Sequence, residues 1–372
     1  MNLAPDDVVI VHCDIFSAFG SGVEPAWRAL KENRHGFRPL RERFFTESLA
    51  DYYGAMAREL DNIPSPSEFL LDFAAKSVEF LPKDECRLYV GSTVGEIEFL
   101  ENKQKQCTSD SLLEKAKKVF NINTACIISA ACAASNMAIA RAAAAVKARK
   151  SCYAVVYAVD YVNEFTASGF FTLKSMTTEN CSKPYDRFRS GLLLGDGAGV
   201  TVLCRAETAE KNKLPILAKL SAWGMSCDAG HITAPNAEGE FLAAAGRKML
   251  EKAHLSPDDI GAVIGHGTGT PYNDIMEIKA LKKLFDRPIP LFSTKGSTGH
   301  TLAAAGLMQL AAAVMMLKEQ VVPPQTSLET PEEGAENMVA REVRPLLKKR
   351  IISMNAGFGG LNGALLLEAC EA

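Results

Sequence analysis

Residues 127–150 read IISAACAASNMAIARAAAAVKARK. An apolar run, 127–131, leads into Cys132 and then into an alanine-rich segment whose alanines 142–145 are bracketed by Arg141 and Lys147. That pattern predicts a strand, a tight turn and a helix. A second apolar strand, YAVVYAV (153–159), follows. The second half of the chain repeats the pattern: PIPLFSTKGSTGH (288–300) leads into TLAAAGLMQLAAAVMMLKEQ. A helix that is apolar all round its circumference is a buried helix. Two buried helices of this kind predict a five-layered α/β/α/β/α sandwich of two pseudo-two-fold-related halves. Cys132 and His300 would hold matched positions, each opening one buried helix.

Working outward, strands are predicted at 7–12, 88–91, 198–204, 215–222, 261–265, 351–354 and 363–368, and surface helices at 23–32, 47–60, 240–253 and 274–285. Strands alternating with helices imply an α/β fold rather than segregated α+β. The charged connector RAETAEKNKL (205–214) marks the boundary of the halves, 1–208 and 209–372. Because the buried helices would pack on each other, the halves are expected to form one inseparable unit.

The chain has 372 residues, 47% apolar and 23% charged, enough for a sizeable core. A net charge of −3 argues against bulk nucleic-acid binding. The start MNLAPDDVVIVHCDIF carries an acidic pair where a signal peptide has a basic region, and no window of about 18 apolar residues runs uninterrupted. Neither a signal peptide nor a membrane span is expected. Ten cysteines occur without a CxxC pair, so neither a metal site nor a disulfide framework is predicted, and a cytoplasmic location is the simplest reading.

Cys132 sits at an inferred helix N-terminus, where unpaired N–H groups and the dipole favour a nucleophilic thiolate. Taken alone it also fits a small packing residue, as Cys126 in the preceding strand does. His266, in GHGTGTPYND, stands at a strand end before a loop of small residues that lets a substrate approach. Thr268 and Thr270 offer hydroxyls there, for a substrate or for the turn itself. His300 stands before the second buried helix. Lys295 lies in a mostly uncharged stretch, and a desolvated lysine needs an acidic partner. Glu277, on the helix after the His266 loop, is the candidate, and the pair would tie the two histidine loops together. NAGFGGLNG (355–363) predicts a tight turn able to offer a backbone N–H. Gly195-Asp196-Gly197-Ala198-Gly199 lacks a phosphate-loop lysine and reads as a structural turn.

SAACAAS, GHGTGTPYNDIME, STKGSTGHT and GFGGLNG occur in the order found in elongating β-ketoacyl synthases of the thiolase superfamily, which this chain resembles. KPYDRFRSGLLLGDGAGVTVL and MSCDAGHITAP resemble that family too, as do SAFGSGVEPAWRALKENRHGF near the start and GSTVGE beginning at Gly91. The resemblance implies that Cys132 takes an acyl chain from phosphopantetheine on an acyl carrier protein. His266 and His300 would both donate hydrogen bonds as malonyl decarboxylates, and the N–H groups of Cys132 and Phe358 would form an oxyanion hole. Phe358 matches a gatekeeping phenylalanine, Thr268 and Thr270 match contacts to the pantetheine arm, and Lys174 matches an arginine with which the family docks the acidic carrier protein. No tightly bound cofactor, metal, nucleic acid or membrane is implied; a homodimer or a heterodimer with a related subunit is. Initiating synthases and chalcone-type enzymes carry Asn where this chain offers His300, and thiolases use a second cysteine.

Departures from the family's pattern fall around the acyl pocket. Residues 33–120 form a shorter region than in typical members. Ala356 replaces an aromatic residue, and Phe170-Phe171 places a second aromatic where the family has a small residue. An unusual acyl preference follows. The clusters KARK (147–150) and LLKKR (346–350) offer positive charge to an acidic partner. Two other readings are a chain-length-setting, non-catalytic subunit and a thiolase-fold acyltransferase that does not condense.

Overall fold

The computed structural model describes residues 3–101 and 109–370. Ten strands build two sheets: β1 Val8–Ser17, β2 Cys86–Gly91, β3 Ala125–Ile128, β4 Tyr153–Asp160, β5 Gly197–Arg205, β6 Ala218–Cys227, β7 Ala262–Ile264, β8 Leu291–Phe292, β9 Arg350–Gly357 and β10 Leu361–Glu368. The first sheet runs β1-β5-β4-β2-β3 and the second β6-β10-β9-β7-β8. In each, the first three strands are mutually antiparallel and the last two join in parallel. The second half therefore repeats the topology of the first. The sheets meet where Val9 and Ile10 pair with Lys219 and Ala218. Each junction strand carries a register shift beside the joint, between Ile10 and His12 in β1 and between Leu220 and Ala222 in β6. A bulge of this kind sharpens the local twist.

Between the sheets lie two helices, α1 Ala134–Lys147 and α2 Ala305–Glu319. Every residue of α2 from Ala305 to Leu317 is buried, while α1 keeps Arg141 and Lys147 in solvent. Alanine and glycine dominate because the backbones come close. A Cβ on Gly306 would lie 2.3 Å from Asn136 Oδ1, and the Gly306 N–H donates to Ser135 Oγ at 2.8 Å. Leu302–Glu319 is the one segment among the described residues with the length and composition to cross a membrane, and it is buried inside the protein. Helices Pro66–Ser77 and Ser109–Phe120 cover the outer face of the first sheet, and Glu240–Ala253 and Pro271–Leu284 that of the second.

The matched positions differ from the expectation. A left-handed residue, Ala131 (φ 47°), opens a short turn, Ala131–Ala133, before α1. Its equivalent is Leu302 (φ 49°), which opens Leu302–Ala304 before α2. Cys132 therefore corresponds to Ala303, and His300 lies ahead of the repeated turn. The helix predicted at 47–60 is also absent. Glu47–Leu49 and Arg58–Leu60 are short 3₁₀ turns around a strand, Tyr53–Ala55, which pairs with Phe37–Pro39 and Leu194–Gly195. Asp196 holds this segment: it accepts from the N–H groups of Ala57 and Val162 and from Arg43. Helix Pro66–Ser77 was not predicted, although its start carries a readable signal: the Ser65 hydroxyl caps the Glu68 N–H, and Pro66 occupies the first turn.

Candidate active site

The two repeated halves bring three chain segments to one place. Cys132 Sγ and one ring nitrogen of each of His266 and His300 all lie within 4.8 Å of one another, and all three residues are buried. The imidazoles meet edge to face, with centroids 5.4 Å apart. Cys132 comes from the turn before α1, His266 from the end of β7, and His300 from the loop before α2. Leu193–Gly195, ahead of β5, pins the His300 loop. The His300 N–H donates to the Leu193 carbonyl and the Gly195 N–H donates to the His300 carbonyl. A Cβ on Gly195 would lie 2.0 Å from the Thr298 carbonyl oxygen, so this glycine is required by close backbone approach.

Hydrogen bonds assign opposite tautomers to the two histidines. The backbone N–H of Leu302 donates to His300 Nδ1 at 3.2 Å. Nδ1 is thus the acceptor, and the neutral ring carries its hydrogen on Nε2. His266 Nδ1 lies 2.8 Å from Asn355 Oδ1, while Asn355 Nδ2 donates to Gln309 Oε1 at 2.6 Å. With the Asn355 oxygen as its partner His266 carries its hydrogen on Nδ1 and presents a bare Nε2, although Lys295 Nζ lies 3.3 Å from the same Nδ1. Burial and the positive charge of Lys295 hold both rings well below the ordinary histidine range. Where two hydrogen-bond donors were expected, these contacts assign one donor, His300, and one acceptor, His266. This set does not suit a cation, because His300 offers N–H and an ammonium group stands beside His266.

The helix-terminal thiolate is a second correction. Burial pushes the Cys132 thiol up to about 12, against the opposing effects of Lys295 and of the Cys132 and Phe358 backbone N–H groups. The resting group is a thiol, and a base must take its proton. A ring nitrogen of His266 lies within 4.8 Å of the Cys132 sulfur.

Lys295 and Glu277 are both buried in this region, yet they form no ion pair. Glu277 accepts from the N–H groups of His266 (2.6 Å) and Gly267 (2.8 Å) and from the Tyr185 hydroxyl (2.7 Å). Those bonds occupy its oxygens, so Lys295 Nζ donates instead to the His266 carbonyl. Burial lowers the Lys295 ammonium from 10.5 to about 8. A lysine depressed in the folded state favours folding fully only above its unfolded value, and that contribution is lost as pH falls through about 8. Lys295→Met is therefore expected to raise unfolding free energy at neutral pH by about 1–4 kcal/mol. Urea denaturation should show the gap narrowing from pH 8 toward 10.5; a gap that stays constant would contradict this account.

Two cavities meet at Cys132, sharing Phe170, Leu173 and Phe358 in their walls. One, of about 460 Å³, is lined by His266, His300, Thr268, Thr270 and Lys174. The other, of about 880 Å³, is lined by Thr93, Val94, Leu100, Thr166 and Leu302. The Thr268 and Thr270 hydroxyls lie 2.8 Å apart on a loop held by Asp274, which accepts from the Thr268, Gly269 and Tyr185 N–H groups. The Phe170 ring packs on Phe358 at 5.7 Å. Phe171 does not face either cavity; it packs edge-on against Tyr52, because successive residues of helix Glu164–Thr172 point to different sides. Sequence reading missed Asn355, Gln309, Tyr185 and Asp274, whose roles depend on contacts between distant segments.

Models of the Beta-ketoacyl synthase N-terminal and C-terminal domains match residues 123–209 and 217–329, together more than half of the chain. The chain belongs to the β-ketoacyl synthase family. One relative is 3-oxoacyl-[acyl-carrier-protein] synthase 2 of Vibrio harveyi, 37% identical over 211 residues, 54% of this chain and 51% of that one. The match thus spans about half the length of that relative. A Synechocystis sp. protein of the same name is 26% identical along 98% of both chains. Among solved structures, the ishigamide ketosynthase/chain length factor superposes with a TM-score of 0.89 at 23% identity, covering 99% of this chain and 100% of that one. The chain has the thiolase fold.

Proposed function

We propose that this chain is a β-ketoacyl synthase, condensing an acyl group held on Cys132 with a malonyl unit delivered on acyl carrier protein. The observation that carries the reading is a thiol, one imidazole acceptor and one imidazole donor within 4.8 Å, where two cavities meet. In loading, His266 Nε2 takes the Cys132 proton, the thiolate attacks the acyl thioester, and the proton passes to the departing pantetheine thiolate. The N–H groups of Cys132 and Phe358 receive the tetrahedral oxyanion. In condensation, the malonyl carboxylate leaves as CO2, and its bonding electrons pass into an enolate held by His300 Nε2–H. The enolate carbon attacks the Cys132 thioester, the C–S bond breaks, and the thiolate recovers a proton from solvent. The product is a β-ketoacyl thioester two carbons longer.

Thr268 and Thr270 receive the pantetheine arm in the smaller cavity, and Lys174 at its wall attracts the acidic carrier protein. Phosphopantetheine arrives on that partner. The larger cavity takes the acyl chain. Lys295 and Glu277 hold the His266 loop. Among the described residues the edge strand β3 is paired only on its β2 side, and a second subunit, identical or of the chain-length-factor type, would extend the sheet there. Nine free cysteines among the described residues suit a cytoplasmic enzyme.

The decisive experiment supplies malonyl and acyl carrier proteins together and measures CO2 release and the mass of the new thioester. Acyl transfer without CO2 would mean a non-condensing acyltransferase. Absence of acyl transfer to Cys132 would favour the chain-length-setting subunit. Phe170 sets the passage between the cavities, so Phe170→Ala is expected to change the ratio of kcat/KM for long over short acyl chains by about 10-fold or more. An unchanged ratio would remove Phe170 from the specificity wall.

A further inference from the structure

Two buried amides outside both cavities join the machinery indirectly. Gln309, on α2, and Asn355, in β9, are fully buried. Gln309 Nε2 donates to the carbonyls of Gly265 (2.7 Å) and Met354 (3.1 Å). Its Oε1 accepts from Ser353 Oγ (2.9 Å) and Asn355 Nδ2 (2.6 Å). Both N–H groups and both lone pairs of this one amide are thereby used. Rotating the amide by half a turn would aim its oxygen at two carbonyl oxygens, so its orientation has a single solution. That solution forces Asn355 to turn its NH2 toward Gln309 and its oxygen toward His266 Nδ1, 2.8 Å away.

We infer that Gln309, acting through Asn355, is a positioning residue that holds His266 in the Nδ1–H tautomer and so keeps its Nε2 free to accept a proton. Lys295 does not supply this control: its ammonium donates to the His266 carbonyl and lies 3.3 Å from His266 Nδ1, where it would favour a bare Nδ1, so the Asn355 oxygen at 2.8 Å has to outweigh it. His300 needs no such relay, because a backbone N–H sets its tautomer directly. The two histidines are thus specified by different means, one by main chain and the other by an amide pair spanning α2, β9 and the end of β7. The inference deepens the condensing reading and rests on it for its catalytic meaning.

The test is 15N NMR of protein labelled at histidine, with His266 identified by the signal lost in His266→Gln. His266 in the unaltered protein should show an N–H type Nδ1 and a bare Nε2. Gln309→Met leaves Asn355 free to turn and should shift His266 toward the other tautomer. Gln309→Glu, protonated on the oxygen that faces the Gly265 and Met354 carbonyls, keeps an acceptor for Asn355 Nδ2 and should restore the original pattern. Ser353→Ala removes a bond to Gln309 that Asn355 does not share and should also keep it. Acyl loading of Cys132 should fall about 10-fold or more in Gln309→Met and recover in Gln309→Glu. An Nε2–H signal for His266 in the unaltered protein overturns the inference even if the Met variant fails to fold. So does a Gln309→Met protein that keeps the Nδ1–H pattern. If the tautomers behave as stated but Cys132 never accepts an acyl group, the proposed function fails and the relay stands.

Discussion

Cys132→Ala is expected to lower condensation by at least about 10,000-fold while CO2 release from malonyl carrier protein persists. The expectation follows from how the work is divided in the site. In the proposed mechanism the thiol holds the acyl chain, so no product forms without it. Decarboxylation needs stabilisation of the enolate, a role proposed for His300, which stands on a separate loop pinned by Leu193 and Gly195. The variant should also fold, because Ala303 occupies the equivalent place before α2 with the same backbone geometry. Intact-mass detection of acyl transfer, with CO2 release measured in parallel, checks the claim. Loss of both activities in a folded protein would show that Cys132 takes part in decarboxylation as well.

The second large effect separates the two histidines. His300→Ala removes the Nε2–H donor and should slow decarboxylation by about 100- to 1,000-fold. It should leave acyl loading of Cys132 largely intact. His266→Ala removes the acceptor and should do the reverse, slowing acyl loading by about 100- to 10,000-fold, because the buried thiol then has no base. Single-turnover loading from acyl carrier protein and CO2 release from malonyl carrier protein resolve the two steps. Equal losses in both assays for both variants would refute the assignment of opposite roles. The tautomer assignment makes this split a consequence of geometry: the Leu302 N–H against one Nδ1 and the Asn355 oxygen against the other cannot both yield donors on the cavity side.

Much of the fold was legible because its signals are local. The strand–turn–helix runs through Cys132 and through His300 are continuous stretches of chain, and a helix apolar on every face has only one place to go. The segment 47–60 was not legible. Its apolar spacing suits a helix, but Arg43 and Asp196 draw it into a strand and two short turns, and Asp196 is distant in sequence. The same limit applies to Lys295 and Glu277. A buried lysine and a buried glutamate near each other in sequence suggest an ion pair. Only the folded chain shows that two loop N–H groups and Tyr185 have already claimed the carboxylate.

By itself, then, the sequence determined a duplicated α/β architecture and singled out three candidate reactive side chains, which the fold brings together. Hydrophobic periodicity and strand-end placement are properties of neighbouring residues, so they can be read without the fold. The tertiary structure decided the protonation of those side chains: a neutral buried thiol, one imidazole that accepts and one that donates. Protonation follows from burial and from hydrogen-bond partners. Here the partners of His266, Asn355 and beyond it Gln309, come from elements that meet only when both halves have packed around the two central helices.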